Sequence, residues 1–187
     1  MRNEIFEVSK TEKKIIGIRK YKDEDDFWLG YIENYNDEII QLRLFDTLGI
    51  EDGVVIEKQE NIDSIDFDSD YEKTYEYLVN RNYNLNEIEE IVSFKNSADW
   101  KKEYLEEFKE RNELISFEID KGDELIIQGY ILDLNNNEFM INAIGHIGED
   151  EGKTIYKIDD MVALRFASRK SKLRAELSKW KKGINCS

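Results

Sequence analysis

Residues 27–46 read FWLGYIENYNDEIIQLRLFD, and residues 126–145 read IIQGYILDLNNNEFMINAIG. Both stretches contain an apolar segment with Gly-Tyr-Ile near its centre, a short run rich in Asn, and a second segment in which apolar residues alternate. Alternation with a period of two is typical of β-strands, and a polar break between two such segments indicates a turn. Each stretch therefore predicts a β-hairpin, which the chain contains twice.

The repeat extends well beyond the hairpin. A shift of 99 residues aligns 16–78 with 115–177 without a gap. Glycines beside strands supply the positive φ angles and close approaches that turns and bulges need, so shared glycines indicate a shared backbone. Two copies of one small fold, arranged by internal duplication, is the economical interpretation. The identical pairs include Gly30 and Gly129, Gly49 and Gly148, Gly53 and Gly152, Asn36 and Asn135, and Phe67 and Phe166.

Each copy predicts five short strands. Polar or glycine-containing segments separate the strands, and five strongly bent strands that close on each other leave a small sheet without free edges. We therefore expect a mainly β or α+β protein made of two tandem five-stranded barrels with flanking and connecting helices. The predicted strands are 14–20, 27–34, 38–46, 54–59 and 62–67 in the first copy, and 114–120, 124–134, 138–144, 154–158 and 161–166 in the second.

Helices are expected before and after each set of strands. Trp100, Tyr104 and Phe108 share one helical face at a spacing of four, and the shift of 99 places a shorter helix near the N-terminus. Further helices should follow each fifth strand. The predicted helices are 3–12, 71–79, 98–112 and 169–182, with one short connecting helix at 85–92.

The net charge of −15 is unevenly distributed. The expected domains are 1–80 and 97–187, joined by a linker at 81–96. Residues 1–70 carry 9 basic and 19 acidic groups, a net charge of −10, whereas 165–182 carry eight basic groups and one acidic group. The sequence thus predicts an acidic first domain and a basic helix near the end of the chain.

A helix followed by five bent strands, with a glycine in the middle of the second strand, resembles the Sm-like fold. This is the small barrel of the Sm, LSm and bacterial Hfq-type proteins, and an SH3-like barrel is the related alternative. The resemblance covers 14–67 and 114–166 and rests on the two Gly-Tyr-Ile motifs with their flanking apolar residues. It implies tandem small barrels of a kind that binds RNA.

The positions at which that family holds a nucleotide are changed in this chain. Where the family has an aspartate and then an asparagine, the first copy has Asn36 and Ile40, and the second has Asn135 and Phe139. The Arg-Gly of the family's second motif falls near Lys58 and its repeat Lys157, so only the charge is kept. We expect the barrel to be shared and the RNA site not to be, because a fold alone does not carry a function.

Several kinds of chemistry are disfavoured by the sequence. One cysteine, Cys186, excludes an internal disulfide, and the single histidine, His146, excludes the usual zinc spacings. Neither a phosphate-binding glycine loop nor a nucleophile motif occurs, so we predict no catalytic residue, no cofactor and no metal site. No apolar run approaches a membrane span and the start lacks a signal peptide, so we expect a cytoplasmic protein without membrane contact.

The acidic first half indicates a non-enzymatic protein that binds a basic protein surface, as inhibitors, immunity proteins and regulatory proteins do. Tyrosines on an acidic surface suit such an interface, although the same tyrosines can instead pack between the two barrels. The predicted acidic contacts are Asp23, Glu24, Asp25, Asp26, Glu51, Asp52, Asp66, Asp68 and Asp70. The predicted aromatic contacts are Tyr71, Tyr75 and Tyr77.

The basic helix carries the alternative prediction. An Sm-like, RNA-associated protein would use Arg169, Lys170, Arg174 and Lys181 to contact phosphates, although a net charge of −22 over 1–164 disfavours nucleic acid. The same cations can bind an acidic partner or fold against the acidic domain. A second alternative is a small ligand bound between the two barrels. The oligomeric state stays open.

Overall fold

A computed structural model describes residues 1–20, 23–82, 92–120 and 124–185, with only the backbone at 23–26, 120, 124–125 and 184–185. The described residues form ten strands and four α-helices, which confirms the predicted mainly β or α+β class. The chain divides into two compact units, Met1–Phe94 (unit 1) and Lys95–Ser187 (unit 2). The connecting helix predicted at 85–92 falls almost entirely outside the described residues.

Unit 1 has five antiparallel strands in the order β5-β1-β2-β3-β4, flanked by two helices. Its larger core cluster contains Phe6, Ile18 and Trp28, and a second cluster joins Ile15 to Tyr75. A single 3-10 turn, Gln59–Asn61, connects the last two strands. In chain order the elements are α1 Arg2–Glu12, β1 Ile16–Lys20, β2 Asp23–Tyr35, β3 Ile39–Phe45, β4 Glu51–Lys58, β5 Ile62–Asp66 and α2 Asp70–Arg81.

Unit 2 repeats this arrangement with the strand order β10-β6-β7-β8-β9. In both units the fourth strand begins earlier than predicted, because Gly53 and Gly152 lie within the strand at a φ of 90°. The strands at the two ends of each order do not pair with each other in the described residues, so closure into barrels remains a prediction. The elements are α3 Trp100–Arg111, β6 Ile115–Asp120, β7 Glu124–Leu134, β8 Glu138–Ile144, β9 Asp150–Lys157, β10 Met161–Phe166 and α4 Arg169–Asn185.

Unusual backbone conformations recur at the same shift of 99 residues. The strand register shifts between Ile32 and Asn34 in unit 1, and between Ile131 and Asp133 in unit 2. Such bulges and positive φ angles are local requirements of a specific backbone path. Both units therefore follow one path, although an origin by duplication stays a prediction. The pairs with positive φ are Lys13 and Asn112 (52° and 49°), Gly49 and Gly148 (75° and 77°), Gly53 and Gly152 (both 90°), and Asp68 and Ala167 (63° and 55°).

The repeated asparagine shapes the turn of each hairpin. The side-chain oxygen of Asn36 accepts hydrogen bonds from the backbone amides two and three residues later, at 2.9 and 2.8 Å. Asn135 makes the same two bonds at 2.8 and 2.9 Å. This side-chain mimic of a backbone turn is a frequent use of asparagine. Ile40 and Phe139 are buried in their sheets. The residues at the positions where the resemblance places a nucleotide therefore shape the turn or fill the core.

A second repeated contact holds a helix on each unit. A Cβ added to Gly49 would lie 2.7 Å from the backbone carbon of Leu78 in α2, and one added to Gly148 would lie 2.5 Å from the backbone nitrogen of Ser178 in α4. Since real Cβ atoms do not approach this closely, the turn between the third and fourth strands needs glycine for space as well as for positive φ. This turn fixes the helix that follows the fifth strand.

Replacement of Gly148 by alanine tests this contact. Gly152→Ala is the matched control, because Gly152 also has a positive φ but an added Cβ would have nothing within 4 Å. We expect Gly152→Ala to lose roughly 1–2 kcal/mol of unfolding free energy from backbone strain alone. Gly148→Ala should lose about 1–3 kcal/mol more, from the clash with α4. Urea unfolding measures both, and equal losses would show that the turn does not touch the helix.

Candidate functional site

Unit 1 carries most of the negative charge of the protein. Its 94 residues include 11 basic and 24 acidic side chains, a net charge of −13, whereas unit 2 has 16 and 18, a net charge of −2. A surface potential of this sign attracts cations and steers basic partners. We therefore expect a site that binds a positively charged group to lie on unit 1.

One groove of about 700 Å³ lies on unit 1 where β1, β2 and β5 meet the start of α2. This volume falls within the usual range of ligand sites. We call it the aromatic groove and define it by Arg19, Phe27, Ile65, Asp66, Phe67 and Tyr71, with Ser69 and Glu72 at one end. It brings together Asp66 and Tyr71, which the sequence analysis predicts as partner contacts, and adds two phenylalanines that it did not predict.

The aromatic side chains of the groove remain accessible. Phe67 is 46% exposed and Tyr71 is 48% exposed, which is unusual for rings of this size. The ring of Tyr71 lies 5.9 Å from that of Phe27 and 4.8 Å from that of Tyr75, centroid to centroid. Tyr75 belongs to the smaller core cluster and so anchors the row of rings. Exposed aromatic rings on a firm base are typical of binding interfaces.

Phe27 occupies its place because residue 17 has no side chain. A Cβ added to Gly17 would lie 2.3 and 2.5 Å from two ring carbons of Phe27. In the sheet, Gly17 of β1 lies between its partners Leu29 of β2 and Asp66 of β5. The Phe27 ring therefore lies over the backbone of β1, where it forms part of the floor of the aromatic groove.

A guanidinium group already lies in the groove. The Nε and Nη2 atoms of Arg19 donate to Oδ2 of Asp66 at 3.2 and 3.1 Å. The same guanidinium carbon is 4.5 Å from the centroid of the Phe27 ring, a cation–π distance. Both side chains of the ion pair are about half exposed. The groove thus combines the two interactions that recognise an arginine side chain.

Three other predicted acids of unit 1, Asp68, Asp70 and Asp52, do not line the groove and lie in different environments. A hydrogen bond from Lys14 lowers the pKa of Asp68, so this carboxylate stays charged but is already paired. Asp70 is exposed in the first turn of α2, where the helix dipole favours a negative charge. Asp52 is half-buried in β4. Ion pairs at the surface are weak, so the pair of Lys14 and Asp68 exchanges partners readily.

The exposed position expected for Glu51 is wrong. Glu51 is buried and accepts a hydrogen bond from Arg43, which also donates to Glu33. A second buried ion pair joins Lys20 to Glu57 at 3.3 Å. Removal of one partner from such a pair costs far more than an exposed pair provides, so these charges belong to the folded core. The side chains of Asp23, Glu24, Asp25 and Asp26, in β2, lie outside the described part.

Of the other predicted tyrosines, Tyr75 is 8% exposed and packs in the smaller core cluster of unit 1, which corrects its prediction as an aromatic partner contact. Tyr77 is 64% exposed and lies outside the groove. Trp28 and Trp100 are buried. Only Tyr71 of the three predicted tyrosines therefore lies in the aromatic groove.

The corresponding positions of unit 2 do not repeat the groove. At the shift of 99, Gly17 corresponds to Ser116, Phe27 to Ile126, and Tyr71 to Lys170. The charges are inverted as well, since Arg19 corresponds to Glu118, and Asp66 to Arg165. The two units thus share a backbone and differ in the surface that it displays at this place.

Phe67 is exposed although the second copy has the same residue, Phe166, at the corresponding position. Its equivalent, Phe166, is buried against Phe108 of α3, with ring centroids 4.9 Å apart. The residue that corresponds to Phe108 in unit 1 is Ser9 of α1, whose hydroxyl donates to the backbone carbonyl of Lys14. Because a small serine replaces the covering ring, the side chain of Phe67 is left for the groove.

The buried face of the basic helix α4 contains serines. Ser171 and Ser178 are buried, whereas Leu173 and Trp180 are 56% and 61% exposed, so these two apolar side chains do not lie on the buried face. Arg174 is half-buried and hydrogen-bonded to His146. Of the other predicted phosphate contacts, Lys181 is half-buried, and Arg169 and Lys170 are exposed.

Comparisons with known proteins do not assign this chain to a family. No protein-family model, curated protein or solved structure matches it. In the residues that the structure describes, no three or more His, Cys, Asp or Glu side chains are grouped so that they could hold a metal ion. None of the described helices is both long and apolar enough to cross a membrane.

The contact between Tyr71 of the groove and Tyr75 behind it provides a test of the geometry. A hydrogen bond with Tyr71, together with burial, raises the pKa of Tyr75 to about 12. The folded state therefore prefers the protonated phenol, and this stabilisation is fully present below the unfolded pKa of about 10. It is lost as the pH rises through about 12. A titration of tyrosinate absorbance should show a step near pH 12 that is missing from Tyr75→Phe.

Tyr71→Phe removes the hydrogen bond and should move this step toward pH 10, the ordinary tyrosine value. Tyr77→Phe is the control, because Tyr77 lies outside the groove, and it should leave the Tyr75 step near pH 12. A Tyr75 step that is unaffected by Tyr71→Phe would contradict the contact between the two hydroxyl groups.

Proposed function

We propose that this is a non-enzymatic cytoplasmic binding protein whose acidic unit 1 engages a basic protein partner, in the manner of an inhibitor, an immunity protein or a regulator. The observation that carries the proposal is the aromatic groove, in which Asp66 lies beside the exposed rings of Phe67 and Tyr71. Charge and accessible aromatic area thus occur at one place, on the unit with a net charge of −13.

The two features have different roles in binding. The net charge of unit 1 acts over the Debye length, about 8 Å at physiological salt, and raises the rate of encounter with a basic protein. The rings of Phe67 and Tyr71 act only at contact, where burial of aromatic area supplies most of the affinity of an interface. A partner therefore needs a basic surface with at least one side chain that enters the groove.

The polar groups at the end of the groove favour a binding role over a catalytic one. The hydroxyl of Ser69 and the carboxylate of Glu72 are near each other, as a nucleophile and a base would be. Both belong to a capping box: Ser69 accepts from the amide of Tyr71 at 3.1 Å, and Glu72 accepts from the amide of Ser69 at 2.9 Å. Groups engaged in starting a helix are poor candidates for proton transfer.

The proposal predicts salt-sensitive capture of a basic protein. The immobilised full chain should retain such a protein from its native lysate at low salt and release it at about 1 M salt, where the Debye length is about 3 Å. With the purified partner, the double variant Phe67→Ala, Tyr71→Ala should bind on the order of 30-fold more weakly by calorimetry, because it removes two central aromatic contacts.

Tyr77→Ala is the matched control for this experiment. Tyr77 is an exposed tyrosine of the same helix that lies outside the groove, so its removal should change the affinity little. Absence of a protein partner at every salt concentration would contradict the proposal. An equal loss of affinity in the control and the double variant would show that the aromatic groove is not the binding site.

An RNA-associated function is the second candidate, and the exposed face of α4 favours it. Trp180 is 61% exposed among the cations of this helix, and a nucleic-acid base can stack on such a ring. A second polar cavity of about 750 Å³ lies in unit 2 beside the turns at Asn136 and Lys157. Small-ligand binding between the two barrels stays a prediction.

The RNA candidate predicts that single-stranded RNA binds at low salt and that the affinity falls steeply as salt is added. Replacement of Arg169, Lys170 and Arg174 by glutamate should abolish binding, since it inverts three positive charges. Trp180→Ala should weaken it by about 1–3 kcal/mol if a base stacks there. Fluorescence anisotropy with a labelled oligonucleotide measures these effects, and no binding at low salt would remove this candidate.

A further inference from the structure

We propose that the aromatic groove binds one arginine side chain of the partner and that Arg19 is the internal occupant which that arginine displaces. This inference rests on the proposed function, because it names the chemistry that the acidic unit recognises. It is carried by one piece of geometry: the guanidinium of Arg19 lies over the Phe27 ring at 4.5 Å and donates twice to Asp66.

The groove offers more to an arginine than Arg19 itself uses. Arg19 contacts the ring of Phe27 and one oxygen of Asp66, Oδ2. The other carboxylate oxygen, Oδ1, accepts no hydrogen bond from the residues that the structure describes. Phe67 and Tyr71 line the same groove with about half of their surface exposed. An incoming guanidinium can thus stack on a ring, form a two-bond fork to Asp66 and bury two further rings.

Exchange of one guanidinium for another is feasible because the internal pair is weakly held. Both Arg19 and Asp66 are about half exposed, and an exposed ion pair with one exposed cation–π contact is readily replaced. Arg19 lies on β1, an element fixed in the sheet, so only its side chain needs to move. Displacement leaves the backbone of unit 1 unchanged.

The occupant is a cation and not an anion. The start of α2 would ordinarily attract a negative group, but Ser69 and Glu72 already satisfy this end in a capping box. Asp66 and the exposed Asp70 then add negative charge near the rings, and Arg19 is the positive side chain among the described residues that line the groove. A phosphate or carboxylate would have to approach against these acids.

Arginine fits this groove better than lysine. Its planar guanidinium stacks on aromatic faces and donates two parallel hydrogen bonds to a carboxylate, whereas the ammonium of lysine is a compact, strongly hydrated charge. The position of Arg19 shows that the distances between the Phe27 ring and Asp66 suit the planar group. The partner should therefore present an exposed arginine within a basic surface.

A peptide titration tests the inference. The probe is a blocked pentapeptide with one central arginine between glycines, compared with the same peptide carrying lysine or the uncharged isostere citrulline. We expect chemical-shift changes at Phe67 and Tyr71 with the arginine peptide, weaker binding of the lysine peptide and none of the citrulline peptide. Asp66→Asn should weaken binding about tenfold or more, since it removes the charge-assisted hydrogen bonds.

The direction in which Arg19→Gln changes the affinity for the arginine peptide is the decisive observation. If Arg19 is an occupant, its removal should strengthen arginine-peptide binding about tenfold, because nothing then has to be displaced. Lys10→Gln is the matched control, since it removes the same charge from the exposed surface of α1. Gly17→Ala should weaken binding without any change of charge, because it displaces the Phe27 ring. Asp63→Asn, also exposed on β5, should have little effect.

Three results would overturn the inference: weaker peptide binding in Arg19→Gln, equal binding of arginine and citrulline peptides, or binding of an acidic or phosphorylated peptide that depends on Arg19. Circular dichroism of each variant confirms that it is folded. Should the arginine peptide fail to bind while the full chain still captures a basic protein in a salt-sensitive way, the arginine pocket is wrong and the proposed function stands. If the arginine peptide does not bind and the full chain captures no basic protein, both the arginine pocket and the proposed function are contradicted.

Discussion

The contact between a strand-connecting turn and the following helix is the constraint on which each unit depends. At Gly49 and Gly148 the backbone of the turn comes so close to the backbone of α2 or α4 that no side chain fits between them. In unit 1 the contact lies near the end of α2, and the capping box at Ser69 fixes the start of that helix. Because both ends of α2 are held, Tyr71 lies in a definite position beside β5. The aromatic groove follows from this, since a helix that slides or frays would carry Tyr71 away from Phe27.

The two units show what a shared backbone leaves open. Four pairs of positive φ angles recur 99 residues apart, yet the residues displayed at the groove position are not repeated. Unit 1 has Phe27 over Gly17, whereas unit 2 has Ile126 and Ser116 at the corresponding positions, and Arg165 in place of Asp66. The backbone tolerates these changes because they affect side chains that lie outside the turns repeated in both units. Binding chemistry can therefore change in one unit while the fold of both is kept.

Much of the fold could be predicted from the sequence, because local signals define it. The Asn36 turn and the repeated glycines are visible in the residues themselves, and the strands lie close to where periodicity places them. The site was less predictable because it depends on contacts between distant residues. That Gly17 admits the ring of Phe27 follows from strand register, and that Phe67 is exposed follows from Ser9 in place of an aromatic residue. Charge alone also misplaced Glu51, since an acid beside a turn can point inward when Arg43 is there to receive it.

The internal pair of Arg19 and Asp66 also bears on specificity. An acidic unit with a net charge of −13 attracts any basic surface, so charge by itself cannot distinguish one cationic partner from another. A groove already filled by its own guanidinium admits only a group that replaces every interaction of Arg19 and adds contact with Phe67 and Tyr71. A lysine, or a weakly placed arginine, gains too little to displace it. Displacement of Arg19 lowers the affinity of every incoming cation by the same factor, so only a cation that stacks on Phe27, binds Asp66 and also contacts Phe67 and Tyr71 retains a useful affinity.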